Sequence, residues 1–214
     1  MFLKRALSCL FVLTLASGAL LAQSPELKVA HTNAFGPVIP APKAGPKLTT
    51  IFSNLGPTST NAYNSTTGYY ILGPTNSVGL SEQGIGVPFI PSANAHVEQI
   101  QAAIGWISGT SLVDVGLYSD DNGTVGTLLA SGHAATIPVF GTCCQLVTVN
   151  VKSTAVTAGT QYWIVATSDD TNAPDFTGVF AASNLAIIAG NESLSGWFSF
   201  TTNTPAAAAR GTVP

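Results

Sequence analysis

The chain is a series of short apolar or alternating runs, each stopped by Gly, Asn, Asp or Pro, and no stretch holds a helical apolar period between caps. An amphipathic helix needs a sustained period near 3.6 residues to bury one stripe, whereas a strand needs only alternation. Candidate strands fall at residues 50–52, 69–72, 85–90, 96–107, 112–118, 127–131, 145–151, 161–167, 177–181, 186–189 and 197–200. Strands at this spacing predict an all-β fold, a two-sheet antiparallel β-sandwich of jelly-roll or Greek-key type. Turn chemistry agrees: Asp120-Asp121-Asn122-Gly123 supplies the Asx and Gly residues that positive φ demands, and Ala158-Gly159 does so before Gln161-Tyr162-Trp163. Alternation puts Val113, Val115 and Leu117 on one face and Asp114 and Tyr118 on the other, and sends Val147, Val149 and Val151 inward. By the same rule Trp106 belongs to the core and Trp197 is the tryptophan expected to meet solvent.

Residues 1–22 open with Lys4-Arg5, continue through an apolar run and end on small residues. That is the form of a secretory signal peptide, and the run is too short to span a bilayer, which takes about 20 residues. A secreted protein, extracellular or periplasmic and without a transmembrane segment in the mature chain, is therefore expected. Residues 23–48 hold five prolines and read as an extended linker, residues 49–202 as the β-sandwich domain, and residues 203–214 as an Ala-rich flexible tail.

Charge narrows the partners. Only 8% of the chain is charged, where about 25% is usual. Without Lys4 and Arg5 the mature chain carries five basic residues against ten acidic ones. Such a surface repels nucleic acid and anionic lipid, which are held through Lys and Arg.

Catalytic signatures are missing: there is no G-x-S-x-G elbow, H-E-x-x-H, P-loop or G-x-G-x-x-G. His133 follows Ser131 too closely for a nucleophile and base that normally meet through the fold. Glu82 and Glu98 are the carboxylates least tied to turns, and a glycosidase would need two of them across a cleft. Asp120, Asp121 and Asn122 offer the alternating oxygens of a Ca²⁺ loop, while a hairpin turn accounts for the same residues. Asp169, Asp170 and Asp175 bracket a second loop of that chemistry. No other cofactor is indicated. Cys143 and Cys144 are the two cysteines left after leader removal. In an oxidising compartment they form a vicinal disulfide, remain thiols packed as small apolar groups, or bridge two molecules.

Three motifs in order carry a family resemblance: Leu117-Tyr118-Ser119-Asp120-Asp121-Asn122-Gly123-Thr124-Val125-Gly126-Thr127-Leu128-Leu129, then Phe140-Gly141-Thr142-Cys143-Cys144, then Val156-Thr157-Ala158-Gly159-Thr160-Gln161-Tyr162-Trp163. Over residues 86–200 the chain resembles secreted bacterial β-sandwich modules of the choice-of-anchor type, R-like in its motifs, here ending in Ala-rich sequence rather than a sorting helix. The resemblance implies a β-sandwich outside the cell and brings no catalytic residues.

The function expected is a non-catalytic surface or extracellular-matrix module that binds carbohydrate, with Trp197, Tyr118 and Asp114 as ligand-binding residues and a glycan or matrix polymer as partner. Two alternatives remain: a secreted glycan hydrolase or lyase working through Glu82 or Glu98, and a structural protein that self-associates through strand edges.

Overall fold

The structure, a computed structural model, describes residues 26–39, 48–193 and 196–214. The expected leader lies outside the described residues, as does part of the expected linker. Among the described residues there are thirteen strands and no helix. Numbered in chain order, the larger sheet contains β1 (Val29–His31), β3 (Asn64–Leu72), β4 (Gly84–Phe89), β6 (Ile104–Ser108), β7 (Leu112–Asp121), β8 (Thr124–Ala135), β10 (Tyr162–Ser168), β11 (Thr177–Ser193) and β12 (Trp197–Pro205). The smaller contains β2 (Thr49–Ser53), β5 (Ala95–Ala102), β9 (Val147–Val156) and β13 (Ala207–Thr212), in the order β2-β13-β5-β9. All ladders are antiparallel. The chain is an all-β, two-sheet sandwich, as the alternation predicts.

One core fills the space between the sheets. Val113, Val115 and Leu117 of β7, with Ile164 and Ala166 of β10, meet Val97 and Ile100 of β5, Val147 and Val149 of β9, and Ala207 and Ala209 of β13. Each large apolar side chain taken out of water there stabilises the fold by about 1.5–3 kcal/mol.

Three expectations about the ends and joints of strands differ from the structure. Residues 96–107 are not one strand: the run breaks at Ala103, and its halves, β5 and β6, belong to different sheets. Residues 177–181 and 186–189 belong to one strand, β11. Most consequential, the end expected as a flexible tail is a central strand. β13 pairs with β2 on one side and β5 on the other, and Ala206, Ala207, Ala208 and Ala209 are fully buried. Alanine lacks the bulk that marks a core strand in sequence, yet small side chains are what let a strand lie between crowded neighbours.

The expected linker is likewise partly structured. β1 pairs with β3, and the buried Gln83 sews them together: its Nε2 donates to the carbonyls of Lys28 (3.2 Å) and Tyr70 (2.9 Å), and its Oε1 accepts from the Lys28 N–H (3.2 Å).

Where the chain passes between sheets, three alanines exchange backbone hydrogen bonds. Ala103 N–H donates to Ala206 O (3.0 Å), Ala206 N–H to Ala181 O (2.9 Å), and Ala181 N–H to Ala103 O (2.7 Å). Sandwich corners are made by strands that switch sheets in this way. Buried Asn54 locks the corner from the end of β2. Its Nδ2 donates to Thr204 Oγ1 (2.9 Å) and Pro205 O (2.8 Å), and its Oδ1 accepts from Ala207 N–H (2.7 Å).

Asn54→Ala should therefore destabilise by at least about 3 kcal/mol, because each buried partner left unmet costs about 1–3 kcal/mol. Deleting residues 206–214 should abolish cooperative unfolding. Thermal melts followed by circular dichroism check both; a truncated chain that melts like the full one would contradict the central place of β13.

Candidate functional site

The outward face of the larger sheet holds the side chains of interest. On β10, Tyr162, Ile164 and Ala166 enter the core, so Trp163 and Val165 point the other way. Trp163 is fully buried there, in a small cluster with Val125 and Val165 against which Tyr118 and Trp197 pack, both half-buried. Glycine makes room beneath: a Cβ on Gly84 would lie 3.5 Å from the Trp197 ring and 2.7 Å from Thr167 Cγ2. β12 thus lays Trp197 over the sheet, and Ser199 Oγ, donating to Gly123 O (2.9 Å), ties that strand to the β7–β8 turn.

Two residues before Tyr118 on this face is Gly116, and two further is Asp114, which the β7–β8 ladder sets opposite His133. His133 Nδ1 lies 2.5 Å from Asp114 Oδ1 and 3.8 Å from Asp169 Oδ2. Burial pushes the Asp114 carboxyl up, the His133 imidazole pulls it down through a hydrogen bond and its charge, and the negative charges of Asp169 and Asp170 push up again; the outcome is above the ordinary range. Asp169 is held low by the Asn172 side-chain amide, with the N–H groups of Asn172 and Thr171 in support. Glu82 is raised by burial and then by the charge and hydrogen bond of Asp170. Several carboxylates therefore crowd one end of this face, without a lysine or arginine paired to them among the described residues.

Asp114, His133 and Asp169 can each turn one ligand atom to a common point, the atoms lying within 4.8 Å of one another. Two carboxylate oxygens and an imidazole nitrogen are a donor set for a small transition-metal ion rather than for Ca²⁺, which takes oxygen ligands.

Three side-chain oxygens of the expected Ca²⁺ loop accept hydrogen bonds from within the protein. Asp120 Oδ1 accepts from Trp163 Nε1 (2.8 Å) and Gln161 Nε2 (2.6 Å), and its Oδ2 from Gly123 N–H (3.0 Å). Asp121 Oδ1 accepts from Asn122 Nδ2 (2.9 Å), and Asn122 takes a positive φ of 53°. Asp120, Asp121 and Asn122 form the hairpin turn, and Asp120 doubles as the acceptor for a buried indole. Burial raises the Asp120 carboxyl, but the hydrogen bonds from Gly123, Trp163 and Gln161 together outweigh it and leave it below its ordinary value.

Cys143 and Cys144 are bonded to each other through their sulfurs. Cys144 is fully buried at the corner with Ala62, Tyr63, Ala103, Ala181 and Ala206, and its Sγ accepts from Ala62 N–H (3.3 Å). The Tyr63 hydroxyl, pushed up by burial, holds the same loop through the carbonyls of Thr142 (2.8 Å) and Gln145 (3.1 Å).

No protein-family model matches the chain, so the choice-of-anchor resemblance rests on its three motifs; no curated protein matches it either. A solved structure to which it is similar contains the cysteine protease and lectin-like domains of Cwp84, a surface layer associated protein of Clostridium difficile. The TM-score is 0.43 and the identity 13%, over 61% of this chain and 32% of that one, so the chain spans about a third of that protein.

Of the residues expected to bind ligand, Trp197, Tyr118 and Asp114 share one face. The two glutamates expected of an enzyme do not: Glu82 precedes β4 of the larger sheet, while Glu98 is on β5 of the smaller, accepting from Thr212 Oγ1 (2.9 Å). Trp106, expected in the core, is half-buried at its rim. Pairing of His133 and Asp169 with Asp114 is not visible in sequence spacing.

Asp120→Ala should cost about 1–3 kcal/mol, since it strands the buried Trp163 N–H. Asp120 holds its proton less tightly folded than unfolded, so its contribution is full above its ordinary value of 3.8 and is lost as pH falls below it. Urea titrations of both proteins across acid pH should show the difference narrow at the low end to the cost of the unpaired Trp163 N–H alone; a constant difference would contradict the assignment.

Proposed function

We propose that this protein is a secreted, non-catalytic surface or matrix module that binds neutral glycan across the outward face of its larger sheet. The observation that carries the reading is the meeting of Tyr118 and Trp197 around Trp163, with Asp114 farther along the same face of β7. Aromatic rings cover the apolar faces of a pyranose, and carboxylates and an imidazole accept and donate to its hydroxyls. The crowd of carboxylates disfavours acidic sugars. No helix among the described residues is long and apolar enough to cross a membrane.

Neutral oligosaccharides should quench or shift tryptophan fluorescence, and Trp197→Ala or Asp114→Ala should weaken binding roughly tenfold, about 1.4 kcal/mol. Unchanged fluorescence with neutral and acidic glycans alike at millimolar concentration would overturn the proposal.

A second reading, glycan hydrolysis or elimination, is favoured by the contact of Glu82 with Asp170 and the raised Glu82 carboxyl, a form suited to a general acid. Turnover of a polysaccharide panel that vanishes in Glu82→Gln would establish it; no turnover would retire it.

A further inference from the structure

We propose a second binding site, separate from the face of Trp197, in the pocket where β1 and the segment after it meet β3, β6 and the loop at Phe140, and we assign it a single neutral pyranose ring. His31, Thr32, Tyr70, Trp106, Val139 and Phe140 line most of a pocket of about 350 Å³. Ligand pockets run from about 300 to 1,000 Å³, so this one suits a ring-sized ligand rather than a chain.

Its walls are fixed before any ligand arrives. Trp106 Nε1 donates to Gly109 O (3.0 Å), so the indole spends its only donor within the protein and presents an apolar ring. Backbone bonds from Trp106 N–H to Pro138 O (2.7 Å) and from Phe140 N–H to Trp106 O (2.8 Å) dock the loop onto β6. Gly105 permits that approach, because a Cβ there would lie 2.7 Å from Phe140 Cα. On the other side, Gly36 N–H donates to Gly141 O (2.8 Å), and Gln83 holds the backbone of Lys28 and Tyr70. Thr67 Oγ1 meets His31 Nδ1 at 3.2 Å and sets the ring, leaving Nε2 as the polar atom not used.

The chemistry of the lining selects the ligand class. None of its residues is a lysine, arginine, aspartate or glutamate, so a charged ligand would be desolvated there without a counter-charge. Three aromatic rings offer apolar faces, while His31, Thr32 and the Tyr70 hydroxyl offer hydrogen bonds. A hydroxylated ring with apolar faces satisfies both. Val139, 60% exposed, forms the rim and controls entry.

The test uses the full chain with the methyl glycosides of glucose, galactose, mannose and N-acetylglucosamine, read by saturation-transfer NMR and calorimetry. At least one should bind at millimolar concentration, methyl glucuronide should not, and Trp106→Ala and Val139→Asp should each weaken binding by at least about tenfold. Val139 is exposed, so Val139→Asp should keep the melting temperature and report on the pocket even where Trp106→Ala fails to fold. Trp197→Ala should leave monosaccharide binding intact. Absence of binding by all four glycosides, equal binding of the glucuronide, survival of binding in Val139→Asp, or its loss in Trp197→Ala would overturn the proposal. Oligosaccharide binding that depends on Trp197 and ignores Val139→Asp, with no monosaccharide bound, would sink this site and leave the function proposed above standing.

Discussion

The hydrogen bonds of one buried asparagine decide how the two sheets are joined. Asn54 meets Thr204, Pro205 and Ala207, and its own carbonyl accepts from Ser183 Oγ (2.6 Å), so β2, β11 and the passage from β12 to β13 converge on one side chain. A buried amide is costly unless fully satisfied, and a fully satisfied one specifies a single arrangement. Here that arrangement turns the chain out of the larger sheet and delivers β13 between β2 and β5. The ring of bonds among Ala103, Ala181 and Ala206 beside it requires backbones to approach closely, which only small side chains allow.

That corner also organises the surface. β11 and β12 form the antiparallel pair that carries Trp197 over Trp163, and β12 continues through the corner into β13. On the other flank, Cys144 packs into the corner and Cys143 starts the return to the loop bearing Phe140 and Val139. The outward aromatic face, built on β7, β10 and β12, and the pocket, where β1 meets β3 and β6, both belong to the larger sheet, and β12 and β6 each pair with β11.

Alternation made the strands legible because core positions carry Val, Ile and Leu at period two, as in β7 and β9. It failed for β13, whose buried residues are alanines flanked by more alanines, so no contrast marks the inward face. It failed also at Ala103, since a strand that changes sheets keeps its period while changing its partners. The shared face of Tyr118 and Asp114 follows from period two; the addition of His133 does not. Counted back from the Asn122-Gly123 turn without interruption, Ser131 would stand opposite Asp114. Two register shifts, near Tyr118, bring His133 there instead. Bulges of this kind leave little trace in a single sequence.

The scarcity of charge then acquires a spatial meaning. Arg210 is spent inside the smaller sheet, where its Nε donates to Gln101 Oε1 (2.7 Å), and Lys28 pairs with Glu26. Neither neutralises the carboxylates around Asp114. Asp114 and Glu82 are raised first by burial and then by the neighbouring negative charge, of Asp169 and Asp170 on Asp114 and of Asp170 on Glu82, and His133 offsets part of this at Asp114. A chain with so few charges that keeps several of one sign together, beside half-buried aromatics, concentrates its polarity where a ligand with many hydroxyls would use it. The lining of the β1 pocket holds no lysine, arginine, aspartate or glutamate, so the two surfaces differ in charge while both carry aromatic rings.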